Sequence, residues 1–172
     1  MELLRADALD FDGIYEAMEA AFPYEERRKR DAARALLIMP RYRIFHIVKD
    51  GVRVGFVTLW ELDGLAFVEH FVTYSAYRNR GYGAQAIALL QARYPCIVLE
   101  AEHPDTPIAA RRLAFYKRTG FVENEYPYIQ PSYHGDGVGV PLVLMSYPAA
   151  LANPDAVAKR LYKEVYDNGT DA

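Results

Sequence analysis

From Val68 to Ala84 the chain reads Val-Glu-His-Phe-Val-Thr-Tyr-Ser-Ala-Tyr-Arg-Asn-Arg-Gly-Tyr-Gly-Ala. This is an apolar, strand-like run, a polar turn, the spaced glycines of Arg78-x-x-Gly81-x-Gly83, and the start of a helix-forming run that continues to Leu90. The first turn of a helix carries backbone N–H groups with no intrahelical partner, and they lie at the positive end of the helix dipole. Glycines ahead of that turn let an anion approach the backbone, and Arg78 and Arg80 add charge beside it. Strand, glycine loop and helix in this order make a phosphate cradle at the end of a strand. They also require a further strand to receive the helix, and so a sheet with a parallel crossover.

The rest of that sheet is visible on either side. Three strand candidates, Tyr42 to Lys49, Val52 to Leu62 and Leu65 to Thr73, are joined by Asp50-Gly51 and Asp63-Gly64, the strongest local hairpin signal, so they form an antiparallel meander. The helix from about Gly81 to Tyr94 returns to a fourth strand at Cys96 to Ala101, parallel to the third. Upstream, Glu2 to Ala6 is a short edge strand. Asp10 is the expected N-cap of a helix carrying Phe11, Ile14, Met18 and Phe22, and a second helix is expected from about Glu25 to Ile38. Downstream, Thr106-Pro107 opens a helix with Ala109, Leu113 and Tyr116 on one stripe and a stop at Gly120. Phe121-Val122 begins a strand, a loop spans Tyr126 to Gly139, Pro141 to Tyr147 is a last strand, and Asn153-Pro154 opens a C-terminal helix.

A chain of 172 residues, 52% of them hydrophobic, can bury one sizeable core but not two, so residues 1–172 are expected to be a single domain with 149–172 as a helical extension. The fold class is α/β in the mixed sense: a mostly antiparallel central sheet with one parallel pair and flanking helices. A net charge of -3 argues against a general nucleic-acid binder. Local basic patches, Arg27 to Arg30 and Arg111-Arg112 among them, read as solvated helix faces. The lone Cys96 lies in an apolar run and reads as a buried structural thiol. With neither a signal pattern nor a membrane-length apolar run, the expected location is cytoplasmic.

Gly81-Tyr-Gly-Ala-Gln-Ala86 also satisfies the dinucleotide pattern G-x-G-x-x-A, with Glu100 placed as a ribose-binding acid. However, eight residues, Thr73 to Arg80, separate the apolar run from the first glycine, and two hairpins precede the unit, neither of which suits a doubly wound sheet. The chain instead resembles the GNAT acyltransferase superfamily. Arg78, Gly81 and Gly83 match its acyl-CoA signature, and Phe115-Tyr-Lys-Arg-Thr-Gly-Phe121 matches its second signature, in the right order with a strand between. The likeness covers about Arg41 to Phe121 and departs where the superfamily often has asparagine and alanine. Ala109 and Arg112 stand there, so no side-chain amide contact to pantetheine is carried over.

The resemblance implies acetyl-CoA as co-substrate and no metal. Pantetheine would pair with Phe71, Val72 and Thr73 beyond a bulge, and pyrophosphate would meet Arg78, Asn79, Arg80, Gly81, Tyr82, Gly83 and Ala84. It makes Tyr116 the general acid for the departing thiolate. An amine attacks a thioester only when neutral, so a base is needed as well. Glu69 ranks first by strand position. His70 should point to the opposite face, since neighbouring strand residues alternate, and Glu100 and Glu102 share a face of the next strand. Tyr24, Glu25, Tyr128 and Tyr133 come from segments expected to flank the acceptor, with Glu26, Tyr126 and His134 near them. Carboxylates and tyrosines there suit a small cationic amine, whereas Arg27 or Arg28 would suit an acidic one. The expected function is N-acetyl transfer from acetyl-CoA to a primary amine of a small molecule by direct attack. The alternatives are a non-catalytic acyl-CoA-binding module and a protein or peptide acetyltransferase. Homodimers are common in the superfamily, and the C-terminal helix, with Tyr162 and Tyr166 beside its apolar stripe, is either an interface or internal packing.

Overall fold

At the first corner Asp50 and Gly51 both take positive φ, 51° and 77°, and at the second Gly64 does, at 84°. These tight turns match the twist of the strands they join. They connect β2 (Tyr42–Lys49), β3 (Val52–Leu62) and β4 (Leu65–Thr73) into the expected meander, and β1 (Glu2–Arg5) pairs antiparallel with β2 at the edge. Helix α3 (Tyr82–Arg93) crosses over to β5 (Ile97–Glu102), parallel to β4. After α4 (Pro107–Arg118), β6 (Val122–Glu123), β7 (Ile129–Gln130) and β8 (Val140–Tyr147) follow, with β8 antiparallel to β5 and taking β6 and β7 along its length. The strand order is β1-β2-β3-β4-β5-β8-β6. This computed structural model describes residues 1–167. No helix of it is long and apolar enough to cross a membrane.

The sheet's two faces carry separate apolar layers. Trp60, Phe67, Val98 and Leu144 point to the face covered by α1 (Phe11–Ala21), α2 (Arg30–Ala35) and α5 (Pro154–Leu161). Val57, Leu59, Leu99 and Met145 point to the other, where Ile87 and Leu90 of α3 and Leu113 and Tyr116 of α4 pack. Two irregularities in β4 shape everything functional. Its pairing with β5 covers only Ala66 to Val68 against Ile97 to Leu99, so the parallel strands part beyond Val68. Its pairing with β3 shifts register between Thr58 and Leu59, which face His70 and Val68 and leave Glu69 as the extra residue of a β-bulge.

Several boundaries differ from the sequence reading. Asp7, not Asp10, supplies the N-terminal cap: its carboxylate accepts from the amides of Leu9 and Asp10 ahead of α1, while Asp10 turns to His46 and Arg53. The expected helix from Glu25 breaks into a short 3₁₀ turn at Tyr24–Glu26, extended backbone at Arg27, and α2 starting only at Arg30. The reason is Arg28, which is 2% exposed and reaches into the interior instead of lying on a solvated helix face. Cys96 precedes β5 and is half-buried. The C-terminal stripe is internal packing: Leu161, Val165 and Tyr166 are buried, and a π-helical turn at Tyr162–Tyr166 continues α5.

Gly55 marks the closest approach of β3 to β4, because a Cβ there would lie 2.1 Å from the carbonyl oxygen of Val72. We expect Gly55→Ala to destabilise the protein by about 1–3 kcal/mol, the usual cost of overpacking, read as a lower denaturant midpoint at unchanged slope.

Candidate active site

Beyond Val68 the gap between the parting strands opens into a cleft of about 850 Å³. Phe71, Val72 and Thr73 of β4 form one wall, and the loop through Arg78 and Asn79 leads to the opposite one, Gly81 to Ala84 at the start of α3. Asn79 and Gly81 adopt left-handed backbone, φ 61° and 75°, and bend the chain into the helix. The first helical amide with a backbone acceptor is that of Gln85, on the Gly81 carbonyl at 3.2 Å, so the amides of Tyr82, Gly83 and Ala84 open the helix without intrahelical partners. Gly83 faces Phe115 of α4, where a Cβ would come within 3.3 Å of the ring, so any side chain here would crowd the cleft wall. Arg78 ties the loop to β4 through Nε on the Thr73 carbonyl at 3.1 Å. Arg111, Arg112 and Arg118 also line the cleft, and among the described residues no carboxylate does. The chemistry of this donor set fits an anionic, phosphate-bearing ligand. Of the expected loop residues only Arg80 is off the wall: it lies over the Tyr77 ring, 5.8 Å from its centroid.

A second, smaller pocket of about 40 Å³ meets the cleft at Phe22, Phe71, Arg112 and Tyr116, which line both. Four carboxylates, Glu26, Glu69, Glu100 and Glu102, face it. The bulge at Glu69 corrects the expectation that Glu69 and His70 point to opposite faces. Both turn to the Trp60 side, Glu69 onto the Trp60 indole (3.2 Å) and His70 onto the Thr58 hydroxyl (3.1 Å). His70 also donates from Nε2 to the Glu26 carbonyl at 3.1 Å and packs edge-on against Phe22, so it pins the Tyr24–Glu26 turn. Burial holds its imidazole below the usual range, hence neutral.

Glu69 and Glu100 sit in opposite electrostatic surroundings. The side chain of Glu69 is 1% exposed; burial alone would raise its carboxyl, but Arg28 at 3.2 Å reverses this with help from the Tyr133 hydroxyl (3.0 Å) and the Trp60 indole, and holds it below the ordinary carboxylate range. Arg28 is further anchored by the Val165 carbonyl at 2.7 Å and stacks over Tyr133. Glu100 has no ion-pair partner among the described residues. Burial pushes its carboxyl up to about 7 against the hydrogen bonds of Tyr128 and Tyr166, with Glu69 and Glu26 adding repulsion. Glu26 is raised by burial and by Glu102, and Glu102 is itself bridged to Arg112 at 2.5 Å. Tyr116 is buried between Phe115 and Phe121, its hydroxyl makes no hydrogen bond to the protein among the described residues, and burial pushes its phenol up to about 12.

The profile of the Acetyltransferase (GNAT) family matches residues 11–121. The chain belongs to this family. A solved structure of a GNAT-family protein from Bacteroides thetaiotaomicron superposes with a TM-score of 0.90 at 30% identity, covering 96% of this chain and 98% of that one. The ribosomal-protein-S18-alanine N-acetyltransferase of Escherichia coli shares the fold at a TM-score of 0.61 and 20% identity, over 90% of this chain and 97% of that one. An aminoglycoside 6'-N-acetyltransferase complexed with coenzyme A does so at 0.59 and 14%, over 85% and 96%. No curated protein sequence matches significantly.

Family membership places the protein among the acyltransferases, with the parted strands and glycine loop in the expected order. The four acceptor residues named from sequence fall outside the pocket wall of this acetyltransferase. Tyr128 and Tyr133 stand behind the carboxylates, their hydroxyls on Glu100 and Glu69. Tyr24 stacks on His134 at 3.8 Å, and Glu25 is exposed and offers only its carbonyl, to Gln130 at 3.3 Å. Arg28, held by Glu69, is not free for an acidic acceptor. Sequence reasoning left out Gln130 as a wall residue, and the pairing of Arg28 with Glu69. The one signal was on the β4 side, an acid within an apolar run; Arg28 stands in a charged stretch that gives none.

Removing one partner of a buried ion pair strands the other charge, which costs about 3–5 kcal/mol. We therefore expect Arg28→Ala to lower unfolding free energy by about that amount, and Arg28→Met with Glu69→Gln to restore much of it. Because Glu69's folded pKa is depressed, its contribution is full above its unfolded value and is lost as pH falls through the folded one. Denaturant titrations of Arg28→Ala should accordingly lack that acid-dependent loss.

Proposed function

We propose that the protein transfers the acetyl group of acetyl-CoA to a primary amine of a small cationic molecule by direct attack, with Glu100 as general base and Tyr116 as general acid. The observation that carries this reading is the junction at Tyr116 between a basic, amide-lined cleft and a pocket faced by four carboxylates. CoA phosphates suit the first environment, and an ammonium group suits the second. Glu69 and Glu102 are offset by Arg28 and Arg112, whereas Glu26 and Glu100 have no ion-pair partner of their own among the described residues, so an arriving cation meets net negative charge.

The chemistry needs a group that takes a proton from the ammonium near neutrality and one that gives a proton to sulfur. Glu100 takes the first proton. The amine nitrogen then attacks the thioester carbonyl, the C–S bond breaks, the thiolate takes the phenolic proton of Tyr116, and the second proton lost from nitrogen returns the phenolate to phenol, leaving a neutral amide and CoA thiol while Glu100 gives its proton to solvent. Glu69, the base favoured by strand position, is held ionised by Arg28 and two further donors, which makes it a weak proton acceptor and a better fixed anion. The pocket also favours a small acceptor over a peptide. The Tyr24–Glu26 turn and the segment carrying Gln130 and His134 are joined beside it by the Gln130 and His134 hydrogen bonds, leaving about 40 Å³.

CoA release from acetyl-CoA should accelerate with a short diamine more than with a neutral primary amine or a lysine-bearing peptide. Turnover with the peptide alone would move the acceptor to protein, and saturable acetyl-CoA binding with no turnover would favour a binding module. Glu100→Gln should lower kcat/KM by about 10²–10³-fold while leaving acetyl-CoA affinity unchanged. The same substitution should raise thermal stability at alkaline pH. Glu100's folded pKa, about 7, lies above its ordinary 4.5, so ionisation above neutrality opposes folding by at most about 3 kcal/mol. That penalty fades as pH falls from 7 towards 4.5, so the variant's advantage should fade over the same interval.

A further inference from the structure

The family profile ends at residue 121, yet both hydroxyls that touch the Glu100 carboxylate come from beyond it. Tyr166, in the π-helical turn after α5, donates to Glu100 with its oxygen 2.7 Å from Oε1 and 2.8 Å from Oε2, and Tyr128, ahead of β7, donates to Oε1. The residue before Tyr166 serves the other carboxylate: the Val165 carbonyl accepts Nη2 of Arg28, the partner of Glu69. One π turn thus reaches both acidic groups at once, a use of irregular helix that recurs at functional sites. Both Val165 and Tyr166 are buried, and the Tyr166 ring packs 5.2 Å from that of Tyr133, whose hydroxyl completes the set on Glu69.

We infer that the C-terminal segment is part of the catalytic apparatus, with Tyr166 and Tyr128 acting as positioning residues that aim the Glu100 carboxylate and set the pH at which it works. The inference rests on Glu100 being the base. Two donors on a carboxylate favour its charged form, so they keep a buried group ionisable near neutrality; without them it would hold its proton and be useless as a base. Neither phenol reaches the reacting atoms. The other ionisable groups facing Glu100 are Glu69 from β4, Glu26 from the 3₁₀ turn, Tyr133 from the loop before β8, and Tyr162 one turn before Tyr166. The first two repel its charge, so the donors act against both burial and repulsion.

The test is a ¹³C NMR titration of glutamate carboxyl carbons in the full-length protein, with Glu100→Gln identifying the resonance. Tyr166→Phe keeps the ring and removes one donor, and Tyr128→Phe removes the other. Each should raise the Glu100 midpoint by about one pH unit. In parallel, the acidic limb of kcat/KM with acetyl-CoA and a short diamine should move up by the same amount, cutting the rate about fivefold at neutral pH and little at alkaline pH. A midpoint that stays put or falls in both variants overturns the inference, as does a pH-independent loss of rate, which is what a merely structural tyrosine would give. If the midpoint rises but Glu100→Gln keeps wild-type turnover, the positioning contacts stand and the assignment of Glu100 as base is what fails.

Discussion

The buried ion pair of Arg28 with Glu69 organises the acceptor half of the molecule. A guanidinium and a carboxylate removed from water cost least when their remaining hydrogen-bonding capacity is met, and here the Trp60 indole and the Tyr133 hydroxyl donate to Glu69 while the Val165 carbonyl accepts from Arg28, whose Nη1 alone stays buried without a hydrogen-bond partner among the described residues. Each demand shapes the chain. Glu69 lies on the Trp60 face in phase with Phe67, and the bulge turns His70, the residue after it, to the same face. Bringing Arg28 inward requires the chain to leave helical conformation after Glu26. Supplying the carbonyl of Val165 draws the C-terminal turn against the sheet. A single electrostatic constraint therefore links the broken second helix and the C-terminal segment.

The same bulge connects this acidic side to the cofactor side. Past Val68, β4 no longer pairs with β5, and the freed edge at Phe71 to Thr73 becomes a wall of the cleft. Strands that part beyond a bulge open a cleft in the sheet, and the cleft and the smaller pocket meet at Phe22, Phe71, Arg112 and Tyr116. Arginines and the first amides of α3 line the cleft and four carboxylates face the smaller pocket, with Arg112 lining both. For the function proposed above, an anionic donor and a cationic acceptor would each be drawn by charge of the opposite sign.

What was legible in the sequence follows from how local its cause is. The meander strands stand where read, Tyr42–Lys49, Val52–Leu62 and Leu65–Thr73, because Asp-Gly corners and apolar runs act over a few residues. The glycine loop and the Thr106-Pro107 helix start are legible for the same reason. The second helix was misread because the run after Glu25 has good local propensity and nothing in it reveals that Arg28 is claimed by a residue 41 positions away. His70 was placed on the wrong face because period-two alternation holds only while register does, and a bulge is a property of two strands together. Tyr128 and Tyr133 stand off the pocket wall with their hydroxyls on Glu100 and Glu69, a placement behind the carboxylates that no spacing encodes. Tyr166 went unread as a site residue because its partner is 66 positions away.

Two carboxylates on neighbouring strands, in one pocket, are driven apart by their surroundings: Glu69 towards permanent charge by Arg28, Glu100 towards neutrality by burial and by Glu69 itself. The first shift contributes to the second, since an anion that cannot be protonated repels ionisation next to it. Arg28 thus sets the proton affinity of Glu100 indirectly, by fixing the charge on Glu69. Were Glu69 free to titrate, the two would share one proton as a coupled pair and neither would present a defined base near neutrality. On this view the ion pair that costs the fold its regular second helix also separates the roles of the two acids, one a fixed anion for a cationic acceptor and the other a base for its proton.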